Sequence, residues 1–293
     1  MDEKTINELK RKTQKRNSIA TGVLCLLLLG IMIYFSENQD DTEFKSTSVN
    51  MKFSEYTFYI PDNQSRYQDF KRNNPIIRNK DVVWMVNVNL DRENYENPEI
   101  ITDPHSVQVL VNKHFMLEDT YVPEELTDVG YDQRMIPEAA DALESMISDA
   151  GKDGMQIVPQ SGYRSYNTQS QIFNENKAND PDGVDTYSAR PGHSEHQTGL
   201  AMDLNVPYGG QLRSFVDTKE SVWVAENAYK YGFIVRYTDK NTRITGYMAE
   251  PWHVRYIGIE HSGKMQKEKI DSFEEYKAKY LMNSNTVISE NKK

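Results

Sequence analysis

The chain has 293 residues, with 34 Lys and Arg against 44 Asp and Glu and a formal net charge of −10 at pH 7. That length allows one well-sized core with appended segments, and the acidic balance argues against a binder of nucleic acid or of anionic lipid. Cys25 is the only cysteine, so disulfides and thiolate metal ligands are excluded from everything beyond it.

Residues 18–35 (SIATGVLCLLLLGIMIYF) contain no charge and no proline, near the lower length limit for a helix crossing a bilayer core of about 30 Å. Lys4, Lys10, Arg11, Lys12, Lys15 and Arg16 precede the run, and Glu37, Asp40 and Asp41 follow it. The positive-inside rule places the N-terminus in the cytoplasm and the bulk of the chain outside the cell membrane. Tyr34-Phe35-Ser36-Glu37 offers no small-residue cleavage site, which favours an uncleaved single-pass anchor. Cys25 lies inside the apolar run after Leu24, so lipidation is set aside. The expected organisation is a cytoplasmic tail (1–17), a transmembrane anchor (18–35), a polar extracytoplasmic stalk (36–78), a folded domain (79–283) and a flexible tail (284–293).

Along the domain, DVVWMVNVNL (81–90) and VQVLV (107–111) alternate as strands do. Ile136, Ala139, Ala140, Leu143, Met146, Ile147 and Ala150 recur at three and four positions, with Pro137 suited to a first turn and Gly151 to the stop. A second helix is expected from near Asn167 through Phe173. A third follows Asp217, paired with Glu220 as a cap, and ends at Gly232; a fourth starts at Ser272 with Glu275 three residues on. Short apolar runs at 155–158, 200–204, 233–237 and 253–257 are strand candidates. Helices and strands intermix without a βαβ repeat, so the fold class is α+β with a mostly antiparallel sheet and flanking helices. Residues 174–195, rich in Asn, Asp, Gly, Ser and Pro, form a long connection of the kind that carries function.

The chemistry concentrates in RPGHSEHQTGLAMDLN (190–205) and EPWH (250–253). A lone His or Asp in a loop is most often a surface hydrogen-bonding residue. Together, however, His196, Asp203 and His253 could supply three ligands to Zn2+, which takes imidazole nitrogen and carboxylate oxygen and in catalytic sites keeps a position open for water. That leaves Glu250 free as a base. Spacing alone does not choose between His193 and His196. In GLAMDL, Asp203 points opposite to Leu200, Met202 and Leu204, and a carboxylate so flanked requires a cation or donors. Glu250 and His253 would face opposite sides of a regular strand, so a turn or bulge is needed between them. Pro251 excludes a helix interior there. Arg164, in SGYRS, could clamp a carboxylate or an oxyanion, or simply pair with an acid.

SGYRS, ARPGHSEHQTGLAMDLN and EPWHVRY, in that order, resemble the VanY-type D-alanyl-D-alanine carboxypeptidase family with its LD-carboxypeptidase relatives, over about residues 108–260. The resemblance implies zinc held by His196, Asp203 and His253, with His196 chosen over His193, Glu250 as general base and acid, and Arg164 facing the substrate carboxylate or oxyanion. It also implies that Gln169, Ser194 and Tyr237 line the substrate pocket. The expected activity is removal of a terminal D-alanine from peptidoglycan stem peptides outside the cell. A non-catalytic peptidoglycan receptor or scaffold using the same pocket is the alternative from another class.

Overall fold

The computed structural model describes residues 52–207 and 210–282. The apolar run 18–35, the tail before it, residues 36–51 of the expected stalk and the C-terminal tail from 283 onward lie outside the described residues. Among the described residues no helix is long and apolar enough to cross a membrane.

Two helices come first, α1 (Gln64–Asn73) and α2 (Asn79–Asn87). Two minimal ribbons follow: β1 (Glu99–Ile100) runs parallel to β2 (Phe115–Met116), and β3 (Thr127–Asp128) antiparallel to β4 (Arg134–Met135). Then come α3 (Pro137–Lys152), β5 (Val158–Ser161), α4 (Tyr166–Asn179), β6 (Ala201–Asn205), α5 (Lys219–Asn227), β7 (Phe233–Tyr237), the single turn α6 (Thr242–Thr245), β8 (Glu250–Tyr256), α7 (Ile259–Glu268) and α8 (Phe273–Tyr280). The main sheet has the order β5-β6-β8-β7, and every pairing in it is antiparallel. This is the mixed, antiparallel-sheet class read from the sequence.

Helix α3 forms because Pro137 presets its first turn and Ala139, Ala140, Leu143, Met146 and Ala150 share one buried face. That face packs with Leu200, Met202 and Leu204 of the β6 segment and Val254 of β8 in one core. Fully burying each large aliphatic chain there contributes about 1.5–3 kcal/mol. Helix α4 is capped by Ser165, whose hydroxyl accepts from Thr168 N, and α8 by Ser272, which accepts from Glu275 N as its spacing predicts. Because Leu200, Met202 and Leu204 fill the core, Asp203 stands on the opposite face of the sheet. Across the ladder Asp203 pairs directly with His253.

The run of β8 answers the spacing problem posed by Glu250 and His253. Val235 pairs with Val254 and Tyr237 with Glu250, so two steps along β7 correspond to four along β8. This β-bulge over Pro251–His253 breaks the alternation and lets both side chains reach the same cleft.

Several expectations are corrected. Residues 81–90 are not a strand: Val82, Val83 and Val86 bury one face of helix α2, so tertiary packing overrides β propensity. Residues 107–111 form no strand, although Val109, Leu110 and Val111 are buried. The strand expected at 155–158 starts only at Val158. Helix α5 is capped by Thr218, which accepts from Ser221 N, while Asp217 adopts a left-handed φ of 59°. Helix α7 had no counterpart in the sequence reading. Residues 52–78 are folded rather than an irregular stalk, with α1 present and Phe53, Phe58 and Tyr67 buried.

Candidate metal centre and cleft

His196 comes from the turn before β6, Asp203 from β6 and His253 from β8. One ligand atom from each lies within 4.8 Å of the others. The contacts fix which atoms face inward. His196 Nδ1 lies 2.8 Å from the Gly162 carbonyl oxygen, which can only accept, so Nδ1 carries the proton and Nε2 presents a lone pair. That Nε2 is buried with no hydrogen-bond partner, yet sits 3.3 Å from Asp203 Oδ2. A lone pair aimed at a carboxylate oxygen is repulsive unless a cation stands between them. The donor set, two imidazoles and a carboxylate, matches zinc.

His253 is held from both sides. Its Nδ1 is 3.1 Å from Asp203 Oδ1 and its Nε2 is 3.2 Å from Glu195 Oε2. Glu195 therefore accepts from Nε2 and turns Nδ1 toward the shared point, the arrangement by which a carboxylate orients a metal-binding imidazole. Glu250 Oε2 lies 3.9 Å from the same Nδ1, at the edge of the cluster. His193 is elsewhere: its Nδ1 meets the Asn112 carbonyl oxygen at 2.7 Å, so geometry selects His196.

Electrostatics separate the carboxylates. Burial lifts Glu250 to about 7, with the Asp203 charge adding to the lift against the pull of His253 and Arg164. Asp203 is also buried, but His196 and His253 hold it well below the usual carboxylate range. Burial and Arg164 push His196 down to about 4. His253 rises to about 9 against burial, through its bonds to Asp203 and Glu195. One carboxylate is thus poised to exchange a proton near neutrality while its neighbour stays ionised.

A cavity of about 780 Å³ opens over the cluster and is lined by Arg164, Gln169, Ser194, Tyr237 and Glu250 among others. All five side chains singled out from the sequence around the metal ligands are therefore in one cleft. Arg164 follows β5; its Nη2 is 3.9 Å from Asp203 Oδ2 and its Nε is buried without a partner. Gln169 donates through Nε2 to the Ala189 carbonyl at 2.7 Å, leaving Oε1 unpaired. The Tyr237 ring lies 4.9 Å from that of His253 and walls one side.

Sequence reasoning missed the buried charges behind the cluster. Glu195 Oε1 accepts from Arg236 Nε at 2.8 Å and from Arg255 Nη1 at 3.0 Å. Burial would raise Glu195, but the two guanidinium groups hold it well below the ordinary range. The available signal was an arginine inside each of the apolar strands FIVRY and HVRYI, since such a group must find a carboxylate.

Two imidazoles and an ionised carboxylate converging beside a near-neutral glutamate, at the floor of a peptide-sized cleft, define a mononuclear metallohydrolase. Residues 132–259 match the VanY D-alanyl-D-alanine carboxypeptidase family. The chain is 40% identical to a putative carboxypeptidase, YodJ of Bacillus subtilis, over 198 residues, which cover 64% of this chain and 72% of the relative. Its fold matches the LdcB LD-carboxypeptidase with a TM-score of 0.58 at 39% identity, covering 62% of this chain and 90% of that one. A vancomycin-resistance D,D-pentapeptidase VanY, solved in complex with Zn(II), matches with a TM-score of 0.52 at 32% identity over 58% of this chain and 98% of that one. The chain belongs to the VanY family and is a metallocarboxypeptidase.

Proposed function

We propose that the protein is a membrane-anchored zinc carboxypeptidase that removes a C-terminal D-alanine from peptidoglycan stem peptides outside the cell. The convergence of His196, Asp203 and His253 beside Glu250 carries this reading. His196 through Nε2, Asp203 and His253 through Nδ1 would hold zinc. When bound, zinc supplies Lewis acidity, polarising a carbonyl and lowering the pKa of a coordinated water to about 7.

The chain's own residues supply the rest. Glu250 accepts the proton of the attacking water and delivers it to the leaving amine nitrogen, a shuttle suited to a carboxyl poised near 7. The Arg164 guanidinium, at the cleft wall with a free Nε, takes the terminal carboxylate or the developing oxyanion. Gln169 Oε1 and Ser194 offer polar contacts to the terminal residue, and Tyr237 restricts the cleft on the His253 side. The anchor reading rests on the uncharged run 18–35 and its charge asymmetry; external protease should remove the domain from intact protoplasts.

The deciding experiment offers the enzyme a stem pentapeptide, a stem tetrapeptide and free D-alanyl-D-alanine, each with and without a zinc chelator. D-Alanine release from a stem peptide that chelator abolishes and zinc restores is the expected result. Binding of the peptides without release would overturn the hydrolytic reading in favour of a receptor.

A further inference from the structure

Helix α8 lies beyond the family-matched residues 132–259, yet one of its side chains reaches the metal centre through an unbroken chain of ionic hydrogen bonds. Glu274 accepts from both terminal nitrogens of Arg236: Nη2 to Oε1 at 2.6 Å and Nη1 to Oε2 at 3.0 Å. The remaining nitrogen of Arg236, Nε, donates to Glu195 Oε1. The other oxygen of Glu195 faces His253 Nε2. Arg236, Glu195 and Glu274 have fully buried side chains.

This geometry is costly unless complete. A buried guanidinium needs its fork filled, and a buried carboxylate needs its donors. The bidentate pair with Glu274 fixes the plane of Arg236, and that plane fixes where Nε points and so where Glu195 sits. Glu274 is itself held by Asn112, accepting from its Nδ2 at 3.1 Å. Arg255 adds a second grip on Glu195 while donating through Nη2 to the carbonyls of Val107 and Val109.

We infer that Glu274 is a positioning residue: acting through Arg236 and Glu195, it sets the orientation of His253 and hence the affinity of the cluster for zinc. Helix α8 is on this account a working part of the metal site. The inference rests on the assignment of His253 as a zinc ligand made above.

The test measures zinc affinity of the full-length chain by competition with a chelator, for wild type, Glu195→Gln, Glu274→Gln and the double variant. Glu195→Gln is expected to weaken zinc binding by about 10–100-fold, the range typical of carboxylates that orient metal-binding imidazoles, and Glu274→Gln by about tenfold. Because Glu274 acts through Glu195, its substitution in the Glu195→Gln background should add less than about twofold. The visible spectrum of the cobalt(II)-substituted Glu274→Gln protein should shift, reporting altered ligand geometry. Should Glu274→Gln fail to fold, judged by thermal unfolding in chelator, Arg236→Lys keeps the charge, removes the fork and is expected to give the same loss. Wild-type zinc affinity and cobalt spectrum in these variants, or a full effect of Glu274→Gln in the double variant, would overturn the inference alone. A wild-type chain without measurable zinc affinity would overturn the functional reading together with it.

Discussion

Replacing Glu250 by glutamine tests the proposed base separately from the proposed zinc ligands. Glutamine has nearly the same shape, and Glu250 pairs with Tyr237 through its backbone, so the bulged end of β8 should persist. The three ligand side chains are untouched, and zinc content should stay near one ion per chain. Turnover should not survive. General acid–base catalysis contributes about 10²–10⁴-fold, which corresponds to about 3–5 kcal/mol of barrier. A second signature follows from the titration of the same group in chelator. Burial raises the folded-state pKa of Glu250 from 4.5 to about 7, so the folded protein binds the proton more tightly than the unfolded chain. Stability from this group is present below pH 4.5 and is lost as pH rises through 7, by on the order of 3 kcal/mol. Glutamine does not titrate, so in chelator the variant should gain on wild type by that order between pH 4 and pH 8. D-Alanine release, zinc content by atomic absorption and urea unfolding at the two pH values are the measurements. Turnover above a tenth of wild type at full zinc occupancy would refute the assignment of Glu250 as the base.

Other substitutions probe separate layers of the argument. His253→Ala should lose both zinc and turnover, and one zinc per chain in that variant, measured by atomic absorption, would remove His253 from the ligand set. Gly162→Ala places a Cβ 2.5 Å from the backbone oxygen of Arg134 and 2.9 Å from Met202 Cε. Denaturant melts should show a loss of about 1–3 kcal/mol, and displacement of the carbonyl that orients His196 should weaken zinc in a chelator titration. Leu143→Ala, in the centre of the α3 face, should cost about 2–5 kcal/mol in the same melts while leaving zinc content unchanged in folded protein.

The elements legible in the sequence are those where one signal acts locally. Helix α3 has an unbroken apolar stripe, α8 has its Ser272 cap, and β7 is bounded by Gly232 and Thr238. Asp203 was legible for a related reason, since its apolar neighbours on the period-two face required it to stand alone on the other. Legibility fails where long-range packing decides. Val82, Trp84, Val86 and Val88 alternate as a strand's residues would, whereas Val82, Val83 and Val86 share one helical face, and packing against α1 and α8 goes with the helix. The bulge over Pro251–His253 depends on register with β7, which no window along β8 contains. Glu195 was hidden between two better candidates, Ser194 and His196, because its partners Arg236 and Arg255 lie 41 and 60 residues away.

The extra residues that β8 takes between the rung at Val254 and the rung at Glu250 let Glu250 and His253, three apart in the chain, line one cleft. The same detour carries Trp252, which lines the cleft, so one irregularity of the strand both brings the glutamate inward and shapes the wall beside it.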